Sequence, residues 1–254
     1  MEQVKLEIDE KVAVITLARP EKRNALSPTM LSELGSVLVE IGKPRNEVRC
    51  VLLKAEGEAF CAGGDFGDLS LNKKWKSGEL LLRNEYNPLF ASLKRLKVPL
   101  ITAVQGGAVG IGLSLAITGD LILASKQAYF HLMFAKLGLV VEGGASYILP
   151  RLIGRSRAFE MSYLMEKVDA QRALEWGLIN RLYENAEALH EGALEIAKQI
   201  AGSADSLALI REAYMGSYDN SFEQQLELEA RLGGQTSETA DFKERIARMA
   251  SKFK

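Results

Sequence analysis

Residue types that hold metals or form disulfides are scarce in this sequence. Of its 254 residues, two are cysteine (Cys50 and Cys61) and two are histidine (His131 and His190). With so few of them, no spacing of histidine, cysteine and carboxylate residues is typical of a metal site, and we expect no disulfide. The start MEQVKLEIDE lacks the basic and apolar segments of a secretory signal. We therefore expect a protein of the reducing cytoplasm.

An excess of charge of one sign is also absent. Lysine and arginine number 32, aspartate and glutamate number 33, and there is no long basic run or stripe of basic and aromatic residues. We therefore expect no nucleic-acid partner and no anionic membrane surface as partner. The expected partner is a small molecule or another copy of the chain.

One stretch lacks charged residues altogether. Residues 98–119 are long enough to cross a bilayer, but they contain Pro99, Gln105 and five glycines. Because these residues interrupt a membrane helix, the stretch predicts a buried strand, a loop and a buried helix. We expect no membrane partner.

Strands and helices alternate along most of the chain. VKLEIDEKVAVITLA alternates apolar and polar residues around a charged DEK turn, which predicts a β-hairpin. Ser27 followed by Pro28 is typical of a helix start. RCVLLKAEG and VPLITAVQG predict buried strands, residues 79–97 a helix, and GLSLAITGDLILAS a helix that leads into a strand. The alternation indicates an α/β domain whose strands are covered by helices.

From about residue 187 the pattern is helical only. The apolar residues of this tail stand among many charges and include Leu226, Leu228, Leu232, Ile246 and Met249. Such a stripe is not buried by one helix alone, so it should pack on the domain, on a neighbouring subunit or on both. We divide the chain into a core, residues 1–190, and a helical C-terminal region, residues 191–254.

Two glycine-rich loops follow predicted buried strands: CAGGD, residues 61–65, and GGAVGIG, residues 106–112. Each is either a tight turn or a place where the backbone approaches a ligand closely. The second loop matches neither G-x-x-x-x-G-K-[ST] nor G-x-G-x-x-G, which argues against a phosphate loop and a dinucleotide site. If the amides of Gly64 and Ile111 converge at the carboxyl ends of their strands, they form a two-donor oxyanion hole.

Glu142 is the one charged residue between Lys136 and Arg151. Apolar surroundings should raise its pKa by desolvation, which suits a group that takes and returns a proton near neutral pH. The alternative is a loop glutamate turned to solvent. Other candidates are weaker, because His131 stands in apolar AYFHLMF and Ser114 is not part of G-x-S-x-G.

Five segments stand in a characteristic order along the chain: LARPEKRNALS, AFCAGGDFGDL, VPLITAVQGGAVGIGLSLAITGDLILAS, FAKLGLVVEGGASYILPRLIG and ALEWGLINRL. Together they resemble the crotonase family, the enoyl-CoA hydratase/isomerase superfamily, over nearly the whole chain. The resemblance implies a spiral core of strand-strand-helix turns and a helical C-terminal region that caps CoA and joins subunits. It also implies an acyl-CoA thioester as partner, no cofactor beyond the CoA of the substrate, and a homotrimer or hexamer.

The resemblance also implies catalytic roles. The amides of Gly64 and Ile111 match the pair that holds the thioester oxygen as an enolate forms. The two glutamates of the hydratases match Ser114 and Phe134, neither of which moves a proton as a carboxylate does. Double-bond isomerases instead place one carboxylate at the position of Glu142. We therefore expect an acyl-CoA isomerase with Glu142 as its acid and base.

Further positions match substrate contacts of the family. Lys22 and Arg23, in PEKRNAL, correspond to residues near the CoA phosphates, and Lys252 corresponds to a lysine that other members direct toward the nucleotide phosphate. For all three residues the alternative is a solvated surface charge. The other expected contacts are Ala25, Ala62, Asp65, Gly110 and Phe134.

The acyl group and the exact reaction stay open at this point. EGGASY is similar to the loop of 3-enoyl-CoA isomerases. KLGLVVEGG is similar to the 2-(1,2-epoxyphenyl)acetyl-CoA isomerases of phenylacetate breakdown, which carry aspartate where this chain has Glu142. The alternatives are hydration, another enolate reaction such as ring opening or C–C cleavage, and a non-catalytic acyl-CoA-binding protein.

Overall fold

The N-terminal hairpin forms as the alternating sequence predicts. In the computed structural model, which describes residues 2–67 and 77–251, β1 (Val4–Asp9) pairs antiparallel with β2 (Val12–Leu17). The turn residues Glu10 and Lys11 both have positive φ angles, 47° and 66°. β2 places its apolar side chains in the core, whereas most of β1 faces outward.

The first helix also begins where the sequence predicts. α1 (Pro28–Ile41) is capped by Ser27, whose Oγ accepts a hydrogen bond of 3.1 Å from the amide of Met30. This bond satisfies one of the amides that a helix start leaves without a partner, and Pro28 needs none. The apolar positions spaced at helical period are buried: Met30, Leu31, Leu34, Leu38 and Ile41.

In residues 2–67 and 77–251, eight further strands build two sheets with β1 and β2. They are β3 (Cys50–Ala55), β4 (Ala59–Cys61), β5 (Leu100–Val104), β6 (Gly107–Val109), β7 (Leu121–Ser125), β8 (Tyr129–His131), β9 (Val168–Asp169) and β10 (Arg181–Tyr183). The larger sheet has the order β1-β2-β3-β5-β7-β10 and the smaller one the order β4-β6-β8-β9. All pairs are parallel except β1 with β2 and β8 with β9.

Ten further α-helices follow α1 in the described residues. They are α2 (Gly78–Leu81), α3 (Asn87–Lys94), α4 (Ile111–Ala116), α5 (Ala145–Ile153), α6 (Arg155–Leu164), α7 (Ala170–Glu175), α8 (Ala186–Ala201), α9 (Leu207–Gly216), α10 (Phe222–Ser237) and α11 (Ala240–Ser251). A π-helical turn (Leu82–Tyr86) joins α2 to α3. The helix predicted for residues 79–97 ends early, at Lys94, because the chain must become extended before Pro99.

The chain repeats one unit as it winds. β3 and β4, β5 and β6, and β7 and β8 each place their first strand in the larger sheet and their second in the smaller sheet, and a helix follows each pair. Because equivalent strands of successive turns lie side by side in parallel, the loops that follow them meet at the same edge. The predicted spiral of strand-strand-helix turns is confirmed.

The outer face of the larger sheet is covered by α8. Leu189, Ala193, Ala197 and Ala201 of this helix pack on side chains of β2, β3, β5 and β7. The division between residues 190 and 191 falls within α8, so by its packing this helix lies with the core. The separate function of residues 191–254 stays a prediction.

A buried ion pair fixes α9 to the core. Arg211 Nε lies 2.7 Å from Asp120 Oδ2, and the same guanidinium donates to the carbonyl oxygens of Leu93, Lys94 and Leu96. Removing either charge would leave the other one buried without its partner, which is strongly destabilising. This contact ties α9 to the end of α3 and to the residue before β7.

Beyond α9, an apolar face is exposed on the chain. Phe222 and Leu226 are exposed on α10, and Phe242, Ile246 and Met249 on α11, at helical spacing in both cases. Leu232, which the sequence groups with them, is instead buried. Among the described helices, none is long and apolar enough to span a membrane. We expect such a face to pack on another protein surface.

The exposed face predicts self-association through α11. Ile246→Asp should shift the protein toward a 27.9 kDa monomer in sedimentation velocity, because each buried isoleucine contributes about 1.5–3 kcal/mol to an interface. Gln235→Asp adds the same charge at an exposed polar position and should leave the assembly intact. An unchanged assembly in Ile246→Asp, or a monomeric wild type at micromolar concentration, would contradict this prediction.

Candidate active site

The two glycine-rich loops lie side by side. β4 and β6 pair in parallel, with Cys61 opposite Ala108. Gly64 and Ile111 each stand three residues beyond this pair, so their amides lie at the same edge of the smaller sheet. The two loops, which are far apart in the sequence, therefore adjoin in the fold.

Glycine is required for this close approach. A Cβ atom on Gly112 would lie 2.3 Å from the carbonyl oxygen of Cys61, and one on Gly63 would lie 3.1 Å from that of Val109. Gly63 also has a φ angle of 107°, which side chains disfavour. Gly63 thus fits the turn interpretation, and Gly112 allows close contact with another stretch of backbone. The close approach of a ligand to these loops stays a prediction.

The amides of Gly64 and Ile111 are free to bind a ligand. Leu26 and Gly64 form a parallel β-bridge. The Leu26 amide donates to the Gly63 carbonyl oxygen at 2.7 Å, and the Leu26 carbonyl oxygen accepts from the Asp65 amide at 3.1 Å. In such a bridge the residue between the two bonds turns its own amide away from the partner strand. Within residues 2–67 and 77–251, neither the Gly64 nor the Ile111 amide donates a hydrogen bond.

Glu142 is held next to these amides through α4. Ser114, one turn after Ile111 on α4, donates from its Oγ to the main-chain carbonyl oxygen of Glu142 at 2.8 Å. From Ile111 to Ser114 the helix rises by about 4.5 Å along its axis. The backbone of Glu142 therefore lies close to the helix end that carries the Ile111 amide.

The side chain of Glu142 is in an environment that favours its neutral form. It is half-buried, and desolvation raises the pKa of its carboxyl group above the ordinary value of a glutamate. Its carboxylate makes no ion pair or hydrogen bond with the described part of the chain. The predicted direction of the pKa shift is confirmed, and a carboxyl group of this kind is suited to exchange a proton near neutral pH.

The two positions that match the hydratase glutamates carry no free acid. Phe134 is buried, and the hydroxyl of the fully buried Ser114 is engaged by the Glu142 carbonyl. Ser114 thus contacts the loop of the carboxylate. This contact joins the loop of Glu142 to the helix that begins with the Ile111 amide.

Tyr86 and Cys61 are buried beside the site, and sequence reasoning did not single out Tyr86. The Tyr86 hydroxyl lies 3.5 Å from the Leu26 carbonyl oxygen. Burial, and then nearby negative groups that include Glu142 and Asp65, raise the pKa of the Tyr86 hydroxyl. Burial also raises the pKa of the Cys61 thiol to about 12. Both groups are protonated at neutral pH, so neither supplies a nucleophile.

The PEKRNAL segment adjoins the same loop. Lys22 and Arg23 are exposed, whereas Ala25 is buried, and the Ala62 amide donates to the Arg23 carbonyl oxygen at 2.9 Å. The carboxylate of Asp65 forms an ion pair with Arg19. Lys252 lies outside the described residues.

The remaining candidates are placed as follows. The Gly110 amide donates to the carbonyl oxygen of His131 at 2.9 Å, whereas the next amide, that of Ile111, has no acceptor in the described residues. The His131 ring bonds through Nε2 to the Met165 carbonyl oxygen at 2.8 Å. This bond joins the end of β8 to the residue that follows α6. In the described ranges, no group of three or more histidine, cysteine, aspartate or glutamate side chains is arranged to hold a metal ion.

A mostly apolar cavity of about 700 Å³ adjoins the Glu142 loop. It lies between α3, α5 and α9, and its wall includes Phe90, Gly143 and Gly144. Glu142, Gly64 and Ile111 do not line it. Gly143 therefore stands between this cavity and the polar groups of the candidate site.

Comparison with known proteins identifies the family. The chain belongs to the enoyl-CoA hydratase/isomerase family, which matches it over residues 7–254. A protein of Rhodobacter capsulatus named a probable enoyl-CoA hydratase is 35% identical over 243 residues, covering 96% of this chain and 93% of that protein. The 1,2-epoxyphenylacetyl-CoA isomerase of Escherichia coli is 33% identical over 255 residues, covering 99% and 97%.

The solved structures agree with the sequence comparison. A crystal structure of enoyl-CoA hydratase/isomerase from Cupriavidus metallidurans superposes with a TM-score of 0.91 at 30% identity, covering 99% of this chain and 94% of that one. The crotonase fold is thus confirmed. The protein is an enzyme of this family, and the family implies an acyl-CoA thioester as substrate.

The Glu142 loop depends on Gly143. Its φ angle is 64°, and an added Cβ would lie 2.7 Å from Phe90 Cζ and 2.8 Å from Ser114 Cβ. Gly143→Ala should therefore lower the free energy of unfolding by about 1–3 kcal/mol more than the matched change Gly144→Ala. Gly144 has a similar φ of 78° but open space around its Cβ position.

Urea unfolding of the two alanine variants measures this difference, since both carry the same left-handed backbone strain. Gly143→Ala should also lose turnover of acyl-CoA, because the loop that carries Glu142 is displaced. Equal destabilisation of the two variants would show that the contact with Phe90 and Ser114 is unimportant.

Proposed function

We propose that the protein is an acyl-CoA isomerase that moves a carbon–carbon double bond from the 3,4 to the 2,3 position of an enoyl-CoA. The observation that carries the proposal is that the loop of Glu142, a half-buried carboxylate with no partner in the described residues, adjoins two unpaired amides. Both positions that match the hydratase glutamates lack a carboxylate. A one-base reaction is the chemistry that this set of groups supports best.

In the first step Glu142 removes a proton from C2, next to the thioester. The C2–H electron pair moves into the C1–C2 bond, and negative charge develops on the thioester oxygen. The amides of Gly64 and Ile111 bind this oxygen as an oxyanion hole. Each such donor stabilises the developing charge by roughly 3 kcal/mol.

In the second step the same carboxyl group delivers the proton to C4. The C3–C4 electron pair takes this proton, the C2–C3 double bond forms, and the thioester carbonyl is restored. No water, oxidant or cofactor is consumed, since CoA is part of the substrate. A raised pKa of Glu142 lets its protonated form exist long enough to return the proton.

Hydration would need a second group. One residue must activate the water and another must protonate C2, and these are separate positions in space. Ser114 has its hydroxyl bonded to a carbonyl oxygen, and Phe134 has no acidic proton. The same one-base arrangement also supports a related enolate reaction, because the E. coli relative is named an isomerase of an epoxide-bearing acyl-CoA.

We further propose that the PEKRNAL segment binds the CoA part. Lys22 and Arg23 are exposed and can meet its phosphates, and Lys252 is assigned to the nucleotide phosphate. Ala25, Ala62, Gly110 and Phe134 lie on segments next to the two amides and are proposed as contacts of the pantetheine and acyl parts. Asp65 also lies there. Because its carboxylate is paired with Arg19, we propose that Asp65 contacts the substrate through its backbone.

The test is the product formed from a straight-chain 3-enoyl-CoA. Wild-type protein should form the conjugated 2-enoyl-CoA, followed by its absorbance, and Glu142→Gln should lower kcat at least a hundredfold with KM little changed. Because the pKa of Glu142 is raised, kcat/KM should fall with decreasing pH through a pKa above that of an ordinary glutamate. This fall of kcat/KM at low pH should be absent from Glu142→Gln.

Two outcomes would contradict the proposal. If Glu142→Gln keeps more than about a tenth of wild-type turnover, the glutamate is not the base. If wild-type protein incubated with 2-enoyl-CoA rapidly gains the mass of one water, the enzyme is a hydratase. Binding of acyl-CoA without exchange of its C2 protons in deuterated water would indicate a non-catalytic binding protein.

A further inference from the structure

The cavity between α3, α5 and α9 lies outside the proposed active site. Its volume is about 700 Å³, most of its wall is apolar, and Glu142 does not line it. The floor is buried, because Phe90, Ile117 and Thr118 line the cavity and are each less than a tenth exposed. Cavities of about 300–1,000 Å³ with a mostly apolar wall are typical sites for small organic ligands. This cavity therefore suits a ligand with an apolar body.

The two buried charges in the wall of the cavity neutralise each other. Arg211 and Asp120 both line it, with 2.7 Å between Arg211 Nε and Asp120 Oδ2. The guanidinium of Arg211 also donates to the carbonyl oxygens of Leu93, Lys94 and Leu96. With its donors engaged and its charge matched, this pair leaves the inner part of the cavity without net charge.

Two further cations stand at the solvent side of the cavity. Lys94 and Arg151 are exposed and lie against the same ring, that of Tyr147, with 4.6 Å from Lys94 Nζ and 3.8 Å from Arg151 Cζ to its centroid. The ring of Tyr218 meets that of Tyr147 edge to face at 6.2 Å. We call these four residues, all of which line the cavity, the rim.

The rim carries a positive charge that is only partly offset. Asp219 lies 3.7 Å from Lys94 Nζ and accepts a hydrogen bond of 3.1 Å from the Tyr147 hydroxyl. Arg151 forms no ion pair within residues 2–67 and 77–251, and its Nη1 donates to the Tyr147 carbonyl oxygen at 2.7 Å. A guanidinium has five N–H donors and pairs best with a planar anion such as a carboxylate. Arg151 therefore has donors left for a ligand.

We propose that this cavity is a binding site for an amphipathic carboxylate, such as the anion of a fatty acid. The apolar chain lies on the buried floor, and the carboxylate pairs with Arg151, with Lys94 as the second cation of the rim. A cationic head group would be repelled by the same residues. The inference goes beyond the proposed function, because it needs neither Glu142 nor the two unpaired amides.

The exposed apolar face of α11 on a second copy of the chain is a poorer occupant. The acidic side chains of α11 already pair within their own helix, Asp241 with Arg245 at 2.8 Å and Glu244 with Arg248 at 2.6 Å. This helix therefore offers Arg151 no free carboxylate. A small anion meets the charge of the rim and the apolar floor together.

The experiment is a calorimetric titration of the full-length protein with decanoate, below the concentration at which decanoate forms micelles. The titration is repeated with saturating hexanoyl-CoA, which has no double bond to move and occupies the thioester site. We expect one decanoate per chain, with a Kd that hexanoyl-CoA changes by less than about twofold. Decyltrimethylammonium has the same chain with a cationic head group and should bind at least about tenfold more weakly.

Two variants and one matched control locate the bound decanoate. Arg151→Gln should weaken decanoate at least about fivefold. Ala91→Leu adds bulk to the wall and should weaken it by a similar factor. Arg155→Gln is the control, because Arg155 is also exposed and lies 5.7 Å from a ring, that of Phe159, but does not line the cavity. It should leave the affinity for decanoate unchanged.

Several results would overturn the inference. They are no binding of decanoate to wild type, equal binding of the two amphiphiles, and an unchanged affinity in Arg151→Gln, which alone decides if Ala91→Leu does not fold. Loss of decanoate binding with hexanoyl-CoA would place decanoate in the thioester site instead. Binding to Ile246→Asp but not to wild type would show that a second copy covers the cavity. Because turnover is not measured, failure of the proposed isomerisation leaves each of these results decisive.

Discussion

The structure depends on the close contact between the connections that follow β4 and β6. Gly112 packs so near the Cys61 carbonyl oxygen that no side chain fits between them. This contact is possible because β4 and β6 pair in parallel and end at the same edge of their sheet. It brings two unpaired amides together. Two loops that did not touch would each have to be ordered separately, at a cost in conformational entropy.

The position of Glu142 follows from the same contact. α4 begins with Ile111 at the glycine contact, and its Ser114 then bonds the Glu142 loop. One short helix thus joins the Ile111 amide, the proposed oxyanion-hole donor, to the loop of Glu142, the proposed proton-transfer group. Burial of the carboxyl group, which raises its pKa, follows from the apolar residues around it and needs no charged partner.

Local features of this fold could be predicted from sequence, whereas its long-range contacts could not. The hairpin and the Ser27 cap depend on neighbouring residues, and both were predicted. The pairing of Arg19 with Asp65 joins residues 46 positions apart, and it arises only when the PEKRNAL segment aligns beside the loop. The burial of Tyr86 likewise depends on a π-helical turn that no local pattern indicated.

The central claim is that two amides and one carboxylate surround the same thioester. A crystal structure of Glu142→Gln with bound 3-hexenoyl-CoA tests it most directly, because this variant should bind the substrate without converting it. We predict a thioester oxygen about 2.7–3.1 Å from the nitrogens of both Gly64 and Ile111, with the side chain at position 142 next to C2 and C4. A thioester oxygen bonded to neither amide, or an acyl chain far from position 142, would contradict the account.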